Sequence, residues 1–330
     1  MRVQKIRLKD VAERAGVAVN TASTILNRRP NSWASKETEE RVFQAATDLG
    51  YRPNRAAQSL RFGRFDSIAL LVHDLNDPFC AAMADAMTDA AEARGYDLLI
   101  ETSRNDDARA LRILEELTHR NVDGVAVLAR ALHAPGGLPL VAIGPAGGAV
   151  PGIDTVLVDF APGLRDAVNA LAIAGHRRFA FLNDGSATSL EDLLRRVLTE
   201  KEIPSFEMLD CGGEPGCESI GAALRRSAHE RPTVVVAQRD LHAASALRAA
   251  TEAGLRVPRD LSIVTMEDSP LAAQLPVALS AIAQPISSMA ERAVELLHSR
   301  IENSAVRGHT DQTPFSAEYI PRESTGAAPQ

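Results

Sequence analysis

The sequence predicts an all-α helix-turn-helix head followed by an α/β body of two lobes, each built on a doubly wound parallel sheet. Three observations carry that prediction. Two short amphipathic segments flank a glycine near the N-terminus, apolar runs alternate with helical stretches from Ser67 onward, and basic charge is concentrated in the first 65 residues. At 330 residues and 45% apolar content the chain is long enough for more than one hydrophobic core.

The head begins with Leu8, Val11, Ala12 and Ala15, spaced i, i+3, i+4 and i+7 as on one buried helix face. Gly16 interrupts the pattern where the chain must turn, and Thr21, Ala22, Ile25 and Leu26 resume a second apolar face. Helix, glycine turn and helix make the helix-turn-helix signature. A third helix follows, with Ser35 placed to cap it, Val42, Ala45, Ala46 and Leu49 on its apolar face, and Gly50 placed to end it. Residues 28–34, with Pro30 and Trp33, read as a polar turn between the second and third helices. Asn54 can cap a short helix reaching Leu60, too short to persist alone in water.

Charge separates head from body. Residues 1–65 hold thirteen Lys or Arg against six Asp or Glu, a net of +7 in a chain of −7, so the remainder carries −14. A basic head on an acidic body implies that the head alone meets a polyanion. No apolar stretch follows the basic residues 1–7, and no apolar run approaches ~18 residues, so neither a secretory leader nor a membrane span is expected. Cys80, Cys211 and Cys217 are odd in number and form no C-x-x-C pair, which fits a reduced cytoplasmic protein. The chain has no G-x-S-x-G elbow, H-E-x-x-H helix or Walker loop, and its glycine-rich stretch 144–152 lacks phosphate-binding spacing. Catalytic residues, a cofactor and a metal are not expected.

In the body, the apolar runs 68–72, 96–100, 122–128 and 140–143 enclose helical stretches at 79–94 and 108–120. A second set lies at 179–182, 233–237 and 261–266. Strands that are apolar throughout, alternating with helices, belong in parallel sheets covered on both faces.

Several motifs stand in one order along the chain. They are D-V-A-x-x-A-G-V at 10–17, T-x-S at 21–23, L-N at 26–27 and L-G-Y-x-P-N-R-x-A-Q-x-L at 49–60. N-D-P-F at 76–79, V-D-G at 122–124, G-H-R-R at 175–178, V-P-x-D-x-S at 257–262 and R-x-S-T at 322–325 continue the series. Over essentially its whole length the chain resembles the lactose-repressor (LacI/GalR) family of bacterial transcription regulators. That resemblance implies a periplasmic-binding-protein-like core whose ligand sits at the carboxyl ends of the strands. It divides the chain into a DNA-binding domain (1–53), a hinge helix and linker (54–66), a discontinuous first lobe (67–158 and 287–321), a second lobe (159–286) and a flexible tail (322–330).

The resemblance also assigns roles. Val19, Asn20, Thr21 and Thr24 on the second helix would meet the major groove, where Asn pairs with adenine, Val touches a thymine methyl and Thr can donate or accept. Asn54, Arg55, Ala57, Gln58 and Leu60 would form the hinge contact, with Leu60 wedged between base steps in the minor groove and Ala57 letting two hinges approach. Two departures stand out: Thr24 replaces a frequent Arg, and Ala18 replaces a Ser cap typically worth ~1 kcal/mol.

For the effector the resemblance points to Asp77 and Phe79 from the first lobe and Arg239, Glu267 and Gln284 from the second. The family's N-D appears here as Arg239-Asp240 and its D-D as Glu267-Asp268, and the R-x-x-G-F segment has no clear counterpart at 190–195. Paired Asn and Asp suit sugar hydroxyls, whereas Arg239 favours an anionic group, provided that it is not paired with Glu267. The expected effector is therefore a sugar, a sugar derivative or an anionic metabolite. The expected function is repression from a near-palindromic operator in double-stranded DNA, bound by a homodimer whose heads lie about one DNA turn apart. After Pro321 no leucine heptads follow, so a dimer is the expected limit. The alternatives are a sensor that has lost DNA binding, suggested by Ala18 and Thr24, and a regulator without an effector; the intact 49–60 segment argues against the former.

Overall fold

A computed structural model describes residues 6–26, 34–51, 64–128, 137–144, 150–185, 188–212, 218–303 and 310–330. The chain divides into two compact units, Met1–Phe65 and Asp66–Gln330. In the first, α1 (Leu8–Ala15), α2 (Val19–Leu26) and α3 (Lys36–Leu49) enclose a core of Val11, Ala12, Ala15, Ala22, Ile25, Val42, Ala45 and Ala46. Gly16 takes the left-handed conformation (φ 68°) that lets the Val17 N–H donate to the Ala12 carbonyl at 3.0 Å, ending α1 in a tight turn. Ser35 Oγ accepts the Thr38 N–H (3.3 Å) and Gly50 ends α3 at φ 63°, as their sequence positions predict. The predicted turn at 28–34 lies almost wholly outside the described residues, Trp33 included, and the predicted hinge helix lies entirely outside them.

The second unit starts with β1 (Ser67–Val72), α4 (Pro78–Ala93), β2 (Asp97–Thr102), α5 (Asp107–Leu117), β3 (Gly124–Leu128), β4 (Leu140–Ile143) and β5 (Asp154–Asp159). It continues through α6 (Ala161–Ile173), β6 (Arg178–Asn183), α7 (Thr188–Glu200), β7 (Ser205–Asp210), α8 (Glu218–Leu224), β8 (Val234–Ala237), α9 (Asp240–Glu252), β9 (Ser262–Thr265), α10 (Pro270–Gln274) and β10 (Ser280–Ala283). It closes with α11 (Ile286–Glu302), β11 (Gln312–Ser316) and β12 (Glu318–Ile320).

Two six-stranded sheets result, ordered β11-β5-β4-β3-β1-β2 and β12-β10-β9-β8-β6-β7. The first is parallel throughout, and in the second only β12 runs antiparallel to its neighbour. Strands β3, β4, β8 and β9 are buried along their whole length, the reason β3, β4 and β8 read as unbroken apolar runs. Edge strands β2 and β7 are half exposed and mix polar with apolar residues.

The chain passes between the lobes after β5, after β10 and between β11 and β12. Two expectations need correction here. Residues 318–320 were assigned to the first lobe, but β12 pairs with β10 in the second sheet and covers an edge that would otherwise present unpaired backbone groups. Residues 322–330, expected as a flexible tail, are tied into the second lobe. Arg322 makes a two-pronged ion pair with Asp268 (2.6 and 2.9 Å), and the fully buried Ser324 accepts the Ser280 N–H and donates to the Ile263 carbonyl. Buried His176 bonds Thr233 Oγ1 (3.0 Å) and the Gly326 carbonyl (3.1 Å), a structural role.

At the β11–β12 crossing the backbone of Ala317 lies against the start of α6. A Cβ at Gly163 would stand 2.8 Å from the Ala317 carbonyl oxygen and 2.9 Å from Ile282 Cγ2. Gly163→Ala is therefore expected to cost ~1–3 kcal/mol of body stability, read by urea unfolding; a wild-type midpoint would contradict this close approach.

Candidate nucleic-acid interface and interlobe crevice

Helix α2 turns Ala22 and Ile25 into the core of the head, so its helical period places Val19 and Asn20 on the exposed side, with Thr21 and Thr24 half-buried beside them. Val19 is 43% exposed, unusual for a large aliphatic side chain in a small helical core. Thr24 Oγ1 donates to the Asn20 carbonyl at 2.9 Å, so its proton is spent within the helix and its lone pairs face outward as acceptors. The sequence reading of Thr24 as donor or acceptor narrows accordingly. Asn54, Arg55, Ala57, Gln58 and Leu60 lie outside the described residues.

In the body, the candidate residues gather where parallel strands end. β1 leads through His73 to Asp77, which caps α4 by accepting the Phe79 N–H on Oδ1 (2.9 Å). β8 leads to Arg239 at the start of α9, β6 to Asp184, β9 to Glu267 and β10 to Gln284. Arg239 Nη2 stands 2.8 Å from Asp184 Oδ2 and its Nη1 3.5 Å from Asp77 Oδ2, an ion-pair triad that joins the second lobe to the first. The side chains of Asp77 and Asp184 are 4% and 3% exposed and that of Arg239 is 15% exposed, so water screens these charges little.

Glu267 accepts the Asp240 N–H at 2.9 Å; Asp240 in turn accepts from Thr265 Oγ1 (2.7 Å) and the Ser269 N–H (2.8 Å). Gln284 Nε2 donates to the Met266 carbonyl (3.2 Å) within its own lobe, and Phe79 packs into the core of the first lobe. Of the five predicted effector residues, Asp77 and Arg239 are thus brought together across the crevice, with Glu267 within electrostatic reach of both.

Burial alone would push Asp77 up, but the His73 hydrogen bond, the charges of His73 and Arg239 and the Phe79 N–H outweigh it and hold its carboxyl below the ordinary range. Glu267 goes the other way: burial, then the charges of Asp77 and Asp240, raise it well above a normal glutamate. His242, one turn into α9, is lowered to about 4 by burial and by Arg239, and its Nδ1 meets no hydrogen-bond partner among the described residues.

Arg239 is not paired with Glu267, the condition under which it was expected to grip an anion. Its ion pairs are instead with Asp77 and Asp184, so its charge is already met, and a second anion there would face both carboxylates. His73, Asp184, Cys80 and His242 were not singled out from the sequence. For His73 and Asp184 the signal was available, since each follows directly on the apolar run of a strand, at the end where ligands gather. Cys80 and His242 sit one turn inside helices among apolar residues, where spacing marks core.

Arg239→Met keeps the apolar stem and removes the charge that both buried carboxylates face. It is expected to destabilise the body by ~3–5 kcal/mol near neutral pH. A carboxyl whose pKa is lowered on folding stabilises above its unfolded value and loses that contribution as the pH falls through the folded one. The gap between variant and wild type should therefore shrink toward pH ~3, and urea unfolding at the two pH values would show a constant gap if the ion pairs were inert.

Comparison with known proteins agrees with this geometry. Residues 7–54 match the family described as bacterial regulatory proteins, lacI family, and residues 168–325 match a periplasmic binding protein-like domain. The chain is 30% identical over 308 residues to the HTH-type transcriptional regulator DegA of Bacillus subtilis (strain 168), covering 87% of this chain and 89% of that one. It is 31% identical over 317 residues to the ribose operon repressor of Haemophilus influenzae, covering 90% and 92%. The solved lac repressor dimer bound to operator and the anti-inducer ONPF superposes with a TM-score of 0.82 at 24% identity, covering 98% of this chain and all of the other, a likeness of fold. These relatives are transcriptional regulators and not enzymes, and the chain belongs to the lacI family of bacterial regulatory proteins.

Proposed function

We propose that this protein is a ligand-responsive transcriptional repressor that binds a near-palindromic DNA operator as a homodimer in the cytoplasm. The carrying observation is the basic helix-turn-helix unit, whose second helix packs Ala22 and Ile25 inward and leaves Val19 and Asn20 exposed. Val19, Asn20, Thr21 and Thr24 read the major groove of each half-site, with Asn54, Arg55, Ala57, Gln58 and Leu60 completing the contact from the hinge. The retained L-G-Y-x-P-N-R-x-A-Q-x-L segment supports the hinge role and counts against a sensor that has lost DNA binding. Among the described residues no helix is long and apolar enough to cross a membrane.

The effector site is the crevice holding Asp77, Phe79, Arg239, Glu267 and Gln284, with Asp184 added. Its carboxylates accept hydrogen bonds, as suits the hydroxyls of a sugar or sugar derivative. The pairing of Arg239 argues against the anionic metabolite. Effector contacts with both lobes bias their relative arrangement, and operator and effector affinities are then linked reciprocally, by ~1–3 kcal/mol in typical cases.

On genomic fragments flanking its gene, the protein should protect a symmetric site with an affinity that falls steeply with salt. Asn20→Ala should lose ~1–3 kcal/mol at that site and almost nothing on random DNA; equal losses on both would remove Asn20 from base reading. In a thermal-shift panel, neutral sugars should raise Tm and sugar phosphates of the same skeleton should not. Stabilisation by the phosphates alone would restore the anionic reading.

A further inference from the structure

We propose that His73, Asp77 and Cys80 form a binding site for a divalent transition metal of the zinc class at the first-lobe wall of the crevice. The three lie on one short stretch, the β1–α4 loop and the first turn of α4, which places them side by side. His73 Nε2 is 3.3 Å from Asp77 Oδ2 and 3.4 Å from Cys80 Sγ, and the ligand atoms all lie within 4.8 Å of one another. Zinc bond lengths of about 2.0–2.2 Å to nitrogen and oxygen and 2.3 Å to sulfur, at tetrahedral angles, put N and O about 3.4 Å apart and N and S about 3.5 Å apart. Two of the three ligand–ligand distances that these residues would set in a coordination tetrahedron therefore stand near their required lengths.

The donor types and their surroundings agree with that geometry. Thiolate, imidazole and carboxylate together select zinc or cobalt over magnesium or calcium, which prefer oxygen alone. Asp77 Oδ1 is held by the Phe79 N–H, so the carboxylate is oriented by the helix cap while Oδ2 stays available to a metal. The His73 side chain, 20% exposed, gives access from solvent to a thiol that is itself fully buried. On binding, the S–H proton leaves to solvent and a metal–sulfur bond takes its place. Thiolate and carboxylate then balance the two metal charges, and Arg239 keeps its 2.8 Å pair with Asp184.

Such a metal would take the same Asp77 oxygen that Arg239 approaches from the second lobe. Occupation of the site therefore loosens the ion pair between the lobes, so the crevice responds to a cation independently of any sugar.

Titration of the full-length protein with Co²⁺ and Zn²⁺ tests the site without reference to DNA. The expected result is one metal per chain and a thiolate-to-cobalt charge-transfer band. Cys80→Ser should abolish the band, and both it and His73→Ala, a change at a partly exposed position that leaves the core intact, should weaken binding by at least about tenfold. Thermal unfolding of each variant without metal confirms that it is folded. Absence of stoichiometric binding, or a band and affinity unchanged in the two variants, would overturn the proposal.

Discussion

The guanidinium of Arg239 is the charge on which the arrangement of the body turns. Two acidic side chains from different lobes, Asp77 and Asp184, are almost completely removed from water, and a buried carboxylate without a partner costs several kcal/mol. One cation between them lowers that cost in a way that either lobe alone could not. The pairing sets the electrical character of the crevice: Arg239 is engaged by two carboxylates, burial and the charges of Asp77 and Asp240 push Glu267 up, and His73 and Arg239 hold Asp77 below the ordinary carboxylate range.

Chain topology explains how so few residues govern the crevice. The backbone passes between the lobes three times, and close to those crossings it is held tightly. Gly163 admits the Ala317 carbonyl at a distance that no side chain would allow, and β12 closes the second sheet immediately after β11 has closed the first. Beyond β12, Arg322 and Ser324 fasten the chain end to Asp268, Ser280 and Ile263. Asp268 is thereby used up as an anchor, at a strained φ of 140°, although it neighbours Glu267 in sequence and falls at the strand end where ligand residues gather. Of that acidic pair, one member serves the crevice and the other the frame.

The head follows a different economy. It has a small core, mostly of alanine and valine, and its helices are short, so caps and turns matter more than buried area. Gly16, Ser35 and Gly50 meet that need with local hydrogen bonds, and the outer face of α2 is left with two threonines, an asparagine and an exposed valine. Thr24 is bonded back to Asn20, which leaves its hydroxyl oxygen as an acceptor on that face.

Periodic patterns carried most of the fold. The apolar stripes of α1, α2 and α3, the cap at Ser35, the glycine turns and the buried central strands all follow from local spacing and are legible residue by residue. Strands β5, β7, β10, β11 and β12 were not, because edge position, short length or polar content hides the apolar run that marks a central strand. The same limit applies to the crevice. The family resemblance pointed to Asp77, Arg239 and Glu267, but which charge meets which is a matter of distances of 2.8 and 3.5 Å between segments 55 and 162 residues apart in the chain. Long-range pairing leaves no periodic trace, so the partners of Arg239 emerged from packing. Local chemistry along the chain settled what kind of molecule this is, and the juxtaposition of the two lobes settled what its crevice can hold.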